Sequence, residues 1–477
     1  MRFGVIGCGT IAQVMHVPYL TETPEAELYA LVDPARERAE ELAQRYNVPY
    51  VYTDHGPLLD EHTDDLDAII VLTPSHAHAD VAVDTLNAGI DTLVEKPVAA
   101  TLEDATRMVE ADRRSNATAM IAYMKRYDPA YERAMKVIDE LAEIDLVTAY
   151  DVDPDHNRIV NEVYDLIEGN PPAELIEESI ADRQSDIEQA IGTDDEILVG
   201  AYDFQLEHVC HDVNALRGLF GEVNSIEHVD VFADGRYATA HLVYEDGVRC
   251  TLKTGDSDRK WFEEFIRVDG PDGTVTVDFS NPFIRNTPTK LRVKEGVEEL
   301  SEAVHTPAYD ESFKRELEYF VDCVESEAEV RTPFTEARDD LEVIIDLFRA
   351  YRGESVRVAV DPTTRGPRPR SVPLSTTASP TCPLRRCVRW GQRAVDGEPI
   401  LEGRLVELVV GDGREELVVL VDGRVLPADD VARRPPGVHV RVIIVGDEDP
   451  FDAVAVGCPD VQFFNGSMEN RNPPSDP

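Results

Sequence analysis

Lysine is nearly missing from this chain: 8 of 477 residues, against 38 arginines. Basic residues as a whole are scarce, 46 against 94 acidic ones, and the formal net charge is -48. A surface this negative repels nucleic acid and anionic membrane, so neither is an expected partner. No run of 18 or more apolar residues occurs, so no membrane-spanning helix is expected. The chain opens on the strand-like MRFGVIGCG, with no basic leader and no cleavage site, and a cytoplasmic protein is expected. The 7 cysteines form no paired framework. Cys382 and Cys387 lie close together without a second such pair, which speaks against a zinc ribbon and for reduced thiols. An acidic, lysine-poor surface on an ordinary globular chain is what a salt-rich cytoplasm, such as a haloarchaeal one, favours, because dense counterions screen the self-repulsion.

Enough apolar material is present, 42%, for a sizeable core, and the length suggests two or three domains. Residues 1–122 alternate short apolar runs with amphipathic stretches. FGVIG, LYALVD, AIIVL, DTLVE and AMIAY read as buried parallel strands, and residues 10–20, 34–46, 76–88 and 102–115 as the helices between them. Pro34 suits a first helical position, and Thr101 with Asp104 resembles a capping box. This alternation predicts an α/β doubly wound sheet with its ligand crevice at the strand C-termini. Residues 123–361 read as an α+β domain on a mostly antiparallel open sheet, with strand-like runs joined by turns such as Pro271-Asp272-Gly273. An acidic helical insertion is expected at 159–192, either a lid or a solvated surface, and two helices near 309–326 and 335–352 close the domain.

Residues 362–383, rich in Pro, Ser, Thr and Arg, read as a linker. Residues 384–477 read as a small β-rich or partly disordered tail. It has lost the acidic signature, as a fusion or an out-of-frame reading would.

Gly7-Cys8-Gly9-Thr10-Ile11-Ala12 follows the first strand and opens a helix. Gly7 permits the tight turn and Gly9 lets a pyrophosphate approach the backbone. Ala12 allows close packing, and the helix N-terminus with Thr10 and Ile11 offers amide donors. Asp33 ends the second strand where a carboxylate binds a ribose 2′-hydroxyl; N-capping of the following helix is its other reading, and both can coexist. A carboxylate there favours NAD, while Arg36 and Arg38 keep NADP open. Glu95-Lys96-Pro97 ends the fourth strand, so Lys96 faces the crevice. It is read as a titrating group or as a structural partner of Glu95.

GCGTIA, Asp33, LTPSHAH with Thr73, Pro74 and His78, then Ala88-Gly89 and EKP at 95–97 resemble the Gfo/Idh/MocA oxidoreductase family. So do AYMKRYDPAY with Arg126 and Pro129, FEEFIRVDGPDGTVTVDF, and TEARDDLEVIIDLFRAYRGESVRV. The resemblance covers about residues 1–361. It implies NAD(P)-dependent dehydrogenation of a sugar or polyol, a cofactor site that includes Thr73, Pro74, His78, Glu95 and Lys96, and a homo-oligomer.

Further along, Glu207 and His211 stand at i and i+4 of a helical stretch, where a carboxylate can orient an imidazole as general base. Family members place Asp-x-x-x-His-x-x-Asp here, so Glu207 and Asn214 are substitutions while His211 carries over. Glu207, His208 and His211 as metal ligands lack an HExxH arrangement, and no metal is expected. His156, Asn157 and Arg158 either contact a hydroxylated substrate or merely begin the insertion.

The expected reaction moves a hydride between a carbinol carbon and nicotinamide. Lys96 binds the substrate oxygen, His211 acts as base oriented by Glu207, and Tyr123, Arg126 and Asn157 line the pocket. Two alternatives stay open: a glycosidase of the same family with tightly bound NAD, and a silent ligand-sensing regulator. Cys8, Cys210, Cys250 and Cys323 are read as packing residues.

Overall fold

The computed structural model describes residues 1–356 apart from Asp246, Glu327 and Ser355, together with 407–411, 414–420 and 439–443. Met1–Ser371 forms one compact unit and Val372–Pro477 a second. The linker at 362–383 lies outside the described residues.

Six strands, all but the edge strand β3 largely buried, pair in parallel: β1 (Arg2–Ile6), β2 (Glu27–Val32), β3 (Tyr50–Tyr52), β4 (Ala68–Val71), β5 (Asp91–Glu95) and β6 (Ala119–Ala122). Their order is β3-β2-β1-β4-β5-β6. The chain winds outward from β1 in both directions and leaves a crevice at the strand C-termini. Between them run α1 (Val17–Glu22), α2 (Arg36–Tyr46), α3 (His55–His62), α4 (His78–Asn87) and α5 (Leu102–Arg114). A π-helical turn, Ala12–His16, precedes α1 and turns His16 inward. Pro34 falls outside α2, contrary to expectation. Asp33 explains why: its Oδ1 accepts from the Ala35 amide at 2.8 Å, closing a turn before the helix starts. Thr101 Oγ1 does cap α5, accepting from the Asp104 amide at 3.1 Å, while the Asp104 carboxylate returns to the Thr101 hydroxyl at 2.9 Å. Such a cap is worth about 1 kcal/mol.

Asp128 and Pro129 then start α6 (Pro129–Ile138), Asp128 Oδ1 accepting from the amides of Ala130 and Tyr131. Strand β7 (Leu146–Pro154) enters the second sheet, followed by α7 (His156–Val163), α8 (Ala173–Ile191) and α9 (Glu196–Phe220). The sheet resumes with β8 (Val223–Phe232), β9 (Tyr237–Tyr244), β10 (Arg249–Ser257), β11 (Glu263–Asp269), β12 (Gly273–Phe279), β13 (Lys290–Glu295) and β14 (Ser301–His305). Its order is β14-β13-β12-β11-β7-β10-β9-β8, antiparallel throughout except where β7 and β10 run parallel. Apolar residues alternate along β10, β11 and β12, so one face buries against α9 and its neighbours. Helices α10 (Ser312–Ser326) and α11 (Phe334–Tyr351) close the unit. A backbone bond from the Ile121 amide to the Thr332 carbonyl, 2.9 Å, ties β6 to the segment before α11, Tyr202 of α9 meets Phe348 of α11 edge to face, and one core cluster holds residues of both sheets.

In the second unit, β15 (Glu407–Gly411), β16 (Arg414–Leu420) and β17 (His439–Ile443) form a three-stranded sheet. No helix among the described residues is long and apolar enough to cross a membrane.

Candidate active site

Three elements bring the chemistry together. Strand β5 delivers Glu95 and Lys96 at its C-terminal edge, the loop after β4 delivers Thr73 to His78, and α9 presents Glu207 and His211 from above. Lys96 Nζ donates to the Glu207 carbonyl at 2.9 Å and to its Oε2 at 3.4 Å. The Lys96 and Glu207 side chains are 21% and 29% exposed, enough for a small molecule to touch both. An ammonium has three donors; two are placed on Glu207 and one is left for a ligand oxygen. Burial works against the charge on Lys96, but the Glu207 carboxylate outweighs it and the pKa sits above the ordinary lysine value.

Glu207 is held from the other side too. Arg183 of α8 donates to its Oε1 at 3.1 Å and to Asp203 at 2.6 Å, and the Ser75 hydroxyl lies 3.4 Å away. Burial would raise the Glu207 carboxyl, yet Lys96 and Arg183 keep it below its usual value. His211 stands beside this network with a buried, unpartnered Nδ1. Burial, then the charges of Lys125 and Lys96, push its imidazole well below the ordinary value, so the ring is neutral at pH 7 with one bare nitrogen. Its edge meets the ring of buried Tyr123 at 6.3 Å between centroids.

Two further contacts fix Lys96. The Glu95 carboxylate accepts from the Lys96 amide at 2.9 Å and meets His16 Nε2 at 2.8 Å. His78 faces the carbonyls of Pro97 and Thr73 with its two nitrogens, at 2.8 and 2.7 Å. Burial favours its neutral form, which donates to only one of them.

On the crevice floor Gly7 has φ +102°, and a Cβ there would lie 2.4 Å from the Leu72 carbonyl oxygen. Gly7 therefore lets β1 and the end of β4 meet. At Gly9 a Cβ would meet nothing within 4 Å, and the Thr73 hydroxyl is buried without a partner. An open cradle over a helix start, with a polar atom waiting, fits a dinucleotide phosphate. Asp33 is 2% exposed and fully engaged, accepting from the Cys8 amide at 2.8 Å and from Arg38, whose guanidinium spans both its oxygens. The acidic insertion reaches this end of the crevice. Gln13 bonds to both the amide and the carbonyl of Ile167, at 2.7 and 3.1 Å, and Gly169 packs so closely that a Cβ would lie 2.8 Å from that of Ala35.

The profile of the oxidoreductase family with an NAD-binding Rossmann fold, Gfo/Idh/MocA, matches residues 1–123. Scyllo-inositol 2-dehydrogenase (NAD(+)) of Bacillus subtilis is 22% identical over 352 residues, 74% of this chain and 94% of its own. Residues 1–123 thus match the NAD-binding Rossmann domain of the Gfo/Idh/MocA oxidoreductases. Inositol 2-dehydrogenase of Salmonella typhimurium is 32% identical over 142 residues, which is 29% of this chain and 41% of that one. The solved myo-inositol 2-dehydrogenase of Lactobacillus plantarum superposes with a TM-score of 0.57 at 20% identity, covering 75% of this chain and 99% of that chain.

Measured against the resemblance to Gfo/Idh/MocA proteins, Lys96, Glu207 and His211 do meet at one place, beside Gly7, Gly9, Thr73 and His78. Pro74 is exposed at the rim, and Thr10 and Ile11 open the helix. One expectation needs correction: the Glu207 carboxylate does not reach back along the helix to His211. Two cations, Lys96 and Arg183, draw it the other way. Nor does Arg126 open into a pocket; its guanidinium contacts the Asn214 carbonyl at 3.2 Å and Glu336 at 3.5 Å, tying the start of α6 to α9 and α11. Asn157 is exposed on the first turn of α7. His208 turns away from Glu207 and His211 toward Asp153, so those three do not form a common ligand set.

Sequence reasoning missed Arg183, the one basic residue among six acidic ones in α8. That isolation was the available signal. It also missed the buried group of Lys125 with Asp151, Asp212 and Glu264, four residues from four elements.

Proposed function

We propose that this chain oxidises a secondary hydroxyl of a sugar or polyol, or reduces the corresponding ketone, with Lys96 and His211 as the reacting side chains. A bound nicotinamide supplies the hydride acceptor at the crevice that Gly7, Gly9, Thr10, Ile11, Thr73 and Pro74 outline. Lys96 donates its free N–H to the substrate oxygen and stabilises negative charge as the O–H bond breaks. The neutral His211 ring takes that proton. Glu207 keeps Lys96 charged and Arg183 keeps Glu207 ionised, so the pair arrives at the substrate in a fixed protonation state. Tyr123 positions the imidazole by packing on it. Polyols are the substrate class because the relatives that support the reading carry inositol and its isomers in their names.

One observation carries this reading: a charged lysine with one unused donor beside a neutral histidine with no partner, at the C-terminal edge of a parallel sheet. The decisive experiment follows reduced nicotinamide by absorbance in high salt, with inositols, aldoses and uronic acids, NAD+ and NADP+ in parallel, and Lys96→Ala as control. Turnover that needs Lys96 is expected. Turnover that survives the substitution would remove Lys96 from the chemistry. Arg38 neutralises Asp33, so some NADP+ use is expected beside NAD+. Salt dependence in the same assay tests whether the acidic surface is an adaptation to a salt-rich cytoplasm, and light scattering tests the expected homo-oligomer.

A further inference from the structure

Asp153, His156 and His208 are absorbed by none of the chemistry above, yet they converge. Asp153 sits at the end of β7, His156 opens α7 and His208 projects from α9. Asp153 Oδ2 lies 3.0 Å from His156 Nε2 and 3.0 Å from His208 Nε2. The three donor atoms are all within 4.8 Å of one another. Spacings of this size are what one ion with bonds of about 2.0–2.2 Å imposes on its ligands.

Proton bookkeeping sharpens the point. His208 Nδ1 lies 2.8 Å from the Phe204 carbonyl oxygen. A carbonyl only accepts, so Nδ1 carries the hydrogen and Nε2 of the neutral ring presents a lone pair. That lone pair faces a carboxylate oxygen. Something positive must stand between them, either a proton or a cation. The Phe204 carbonyl is also the outer partner that a metal-bound histidine ordinarily has, fixing the tautomer and the ring plane. Asp153 Oδ1 and His156 Nδ1 are buried without partners, and the Asp153 side chain is 7% exposed. Phe204 stacks on His208 at 4.1 Å, and Phe283 packs on His156 at 4.8 Å. These aromatic contacts hold the planes of the two imidazole rings.

We propose that Asp153, His156 and His208 form a binding site for one divalent first-row transition ion. Two imidazoles and a carboxylate suit zinc, cobalt or nickel far better than the hard cations magnesium and calcium. The ion joins β7, α7 and α9, and its remaining positions are open to water or to a ligand's oxygen atoms. The assignment is independent of the hydride-transfer reading.

The full-length protein, stripped with a chelator and held in high salt to screen weak binding to the acidic surface, is titrated with cobalt(II) and then zinc. Expected are visible d–d bands at one cobalt per chain, displaced by zinc, and a rise in melting temperature. His156→Ala and Asp153→Asn should each weaken binding by more than the roughly 10–100-fold that loss of an outer partner costs. Circular dichroism of each variant checks that it is folded. Absence of stoichiometric binding in the wild type would overturn the proposal and leave a carboxylate bridging protonated imidazoles. Stoichiometric binding unchanged in both variants would overturn it equally, by placing the ion elsewhere.

Discussion

Lys96 and Lys125 are two of the chain's 8 lysines, and each stands among carboxylates, but their surroundings differ in kind. Lys96 is 21% exposed, touches one carboxylate and keeps a donor free. Lys125 is 4% exposed and faces three: Glu264 in direct contact, Asp212 at 3.8 Å and Asp151 at 3.9 Å. Burial, then the charges of Asp153 and Asp212, push the Asp151 carboxyl well above the usual range. Glu264 and Asp151 are directly opposite each other on β11 and β7, a like-charge pairing that costs energy unless something intervenes. Lys125 intervenes. The same side chain thus keeps a donor free where it can reach outward and serves as an internal counter-ion where it cannot.

Substituting each lysine separates the two roles, and the largest effect is expected at the crevice. Lys96→Ala should lower kcat by about 10³-fold or more while the denaturation midpoint barely moves. A large loss of stability with modest loss of turnover would erase the distinction. Lys125→Met should do the reverse. Removing one partner of a buried ionic group typically costs about 3–5 kcal/mol, readable as a shift in the urea midpoint. If that midpoint stays put, the three carboxylates do not need Lys125.

The next effect sharpens the picture of Lys96. Glu207→Gln removes the charge that raises the Lys96 pKa while keeping a polar group in place. Turnover should fall by about 10-fold. Because Lys96 must stay protonated, the alkaline loss of activity should move to lower pH. An unchanged alkaline limb would show that another group sets it. Arg183→Ala should be the mildest, a few-fold effect in line with a half-exposed ion pair of about 0.5–1 kcal/mol. Here the Glu207 carboxyl rises toward its ordinary value, so activity should fade earlier as pH drops.

How much of this was legible beforehand follows from distance along the chain. The cofactor loop, Asp33 and the lysine at the end of β5 are local patterns, strand, turn and helix within a few residues, and the parallel order follows from the alternation. Glu207 and His211 were readable as neighbours because a helix repeats every 3.6 residues. What Glu207 touches was not, since Lys96 is 111 residues away and Arg183 lies inside the insertion, on a different helix. Arg126 was read from a motif, but a motif does not say which way a guanidinium turns; Asn214 and Glu336 decide it. Strands β3 and β14 escaped notice because one has only 3 residues and the other, at the sheet edge, buries almost nothing. His208 was read with its sequence neighbours, although its partners come from a strand 55 positions earlier and the helix that follows.

Strand β7 carries a constraint of another sort. Asp151 and Asp153 lie two residues apart, so they emerge on the same face of the sheet, one toward Lys125 and the other toward the histidine pair. β7 is gripped on both sides, in parallel by β10 and antiparallel by β11, with Asp151 opposite Thr254 and Glu264. Deleting a single residue upstream on this strand would turn both carboxylates to the opposite face at once. The segment therefore tolerates exchange of side chains far better than any change in length. The turn between β13 and β14, with Val297 and Leu300 exposed, is free of that restriction and is the place where this domain can grow or shrink.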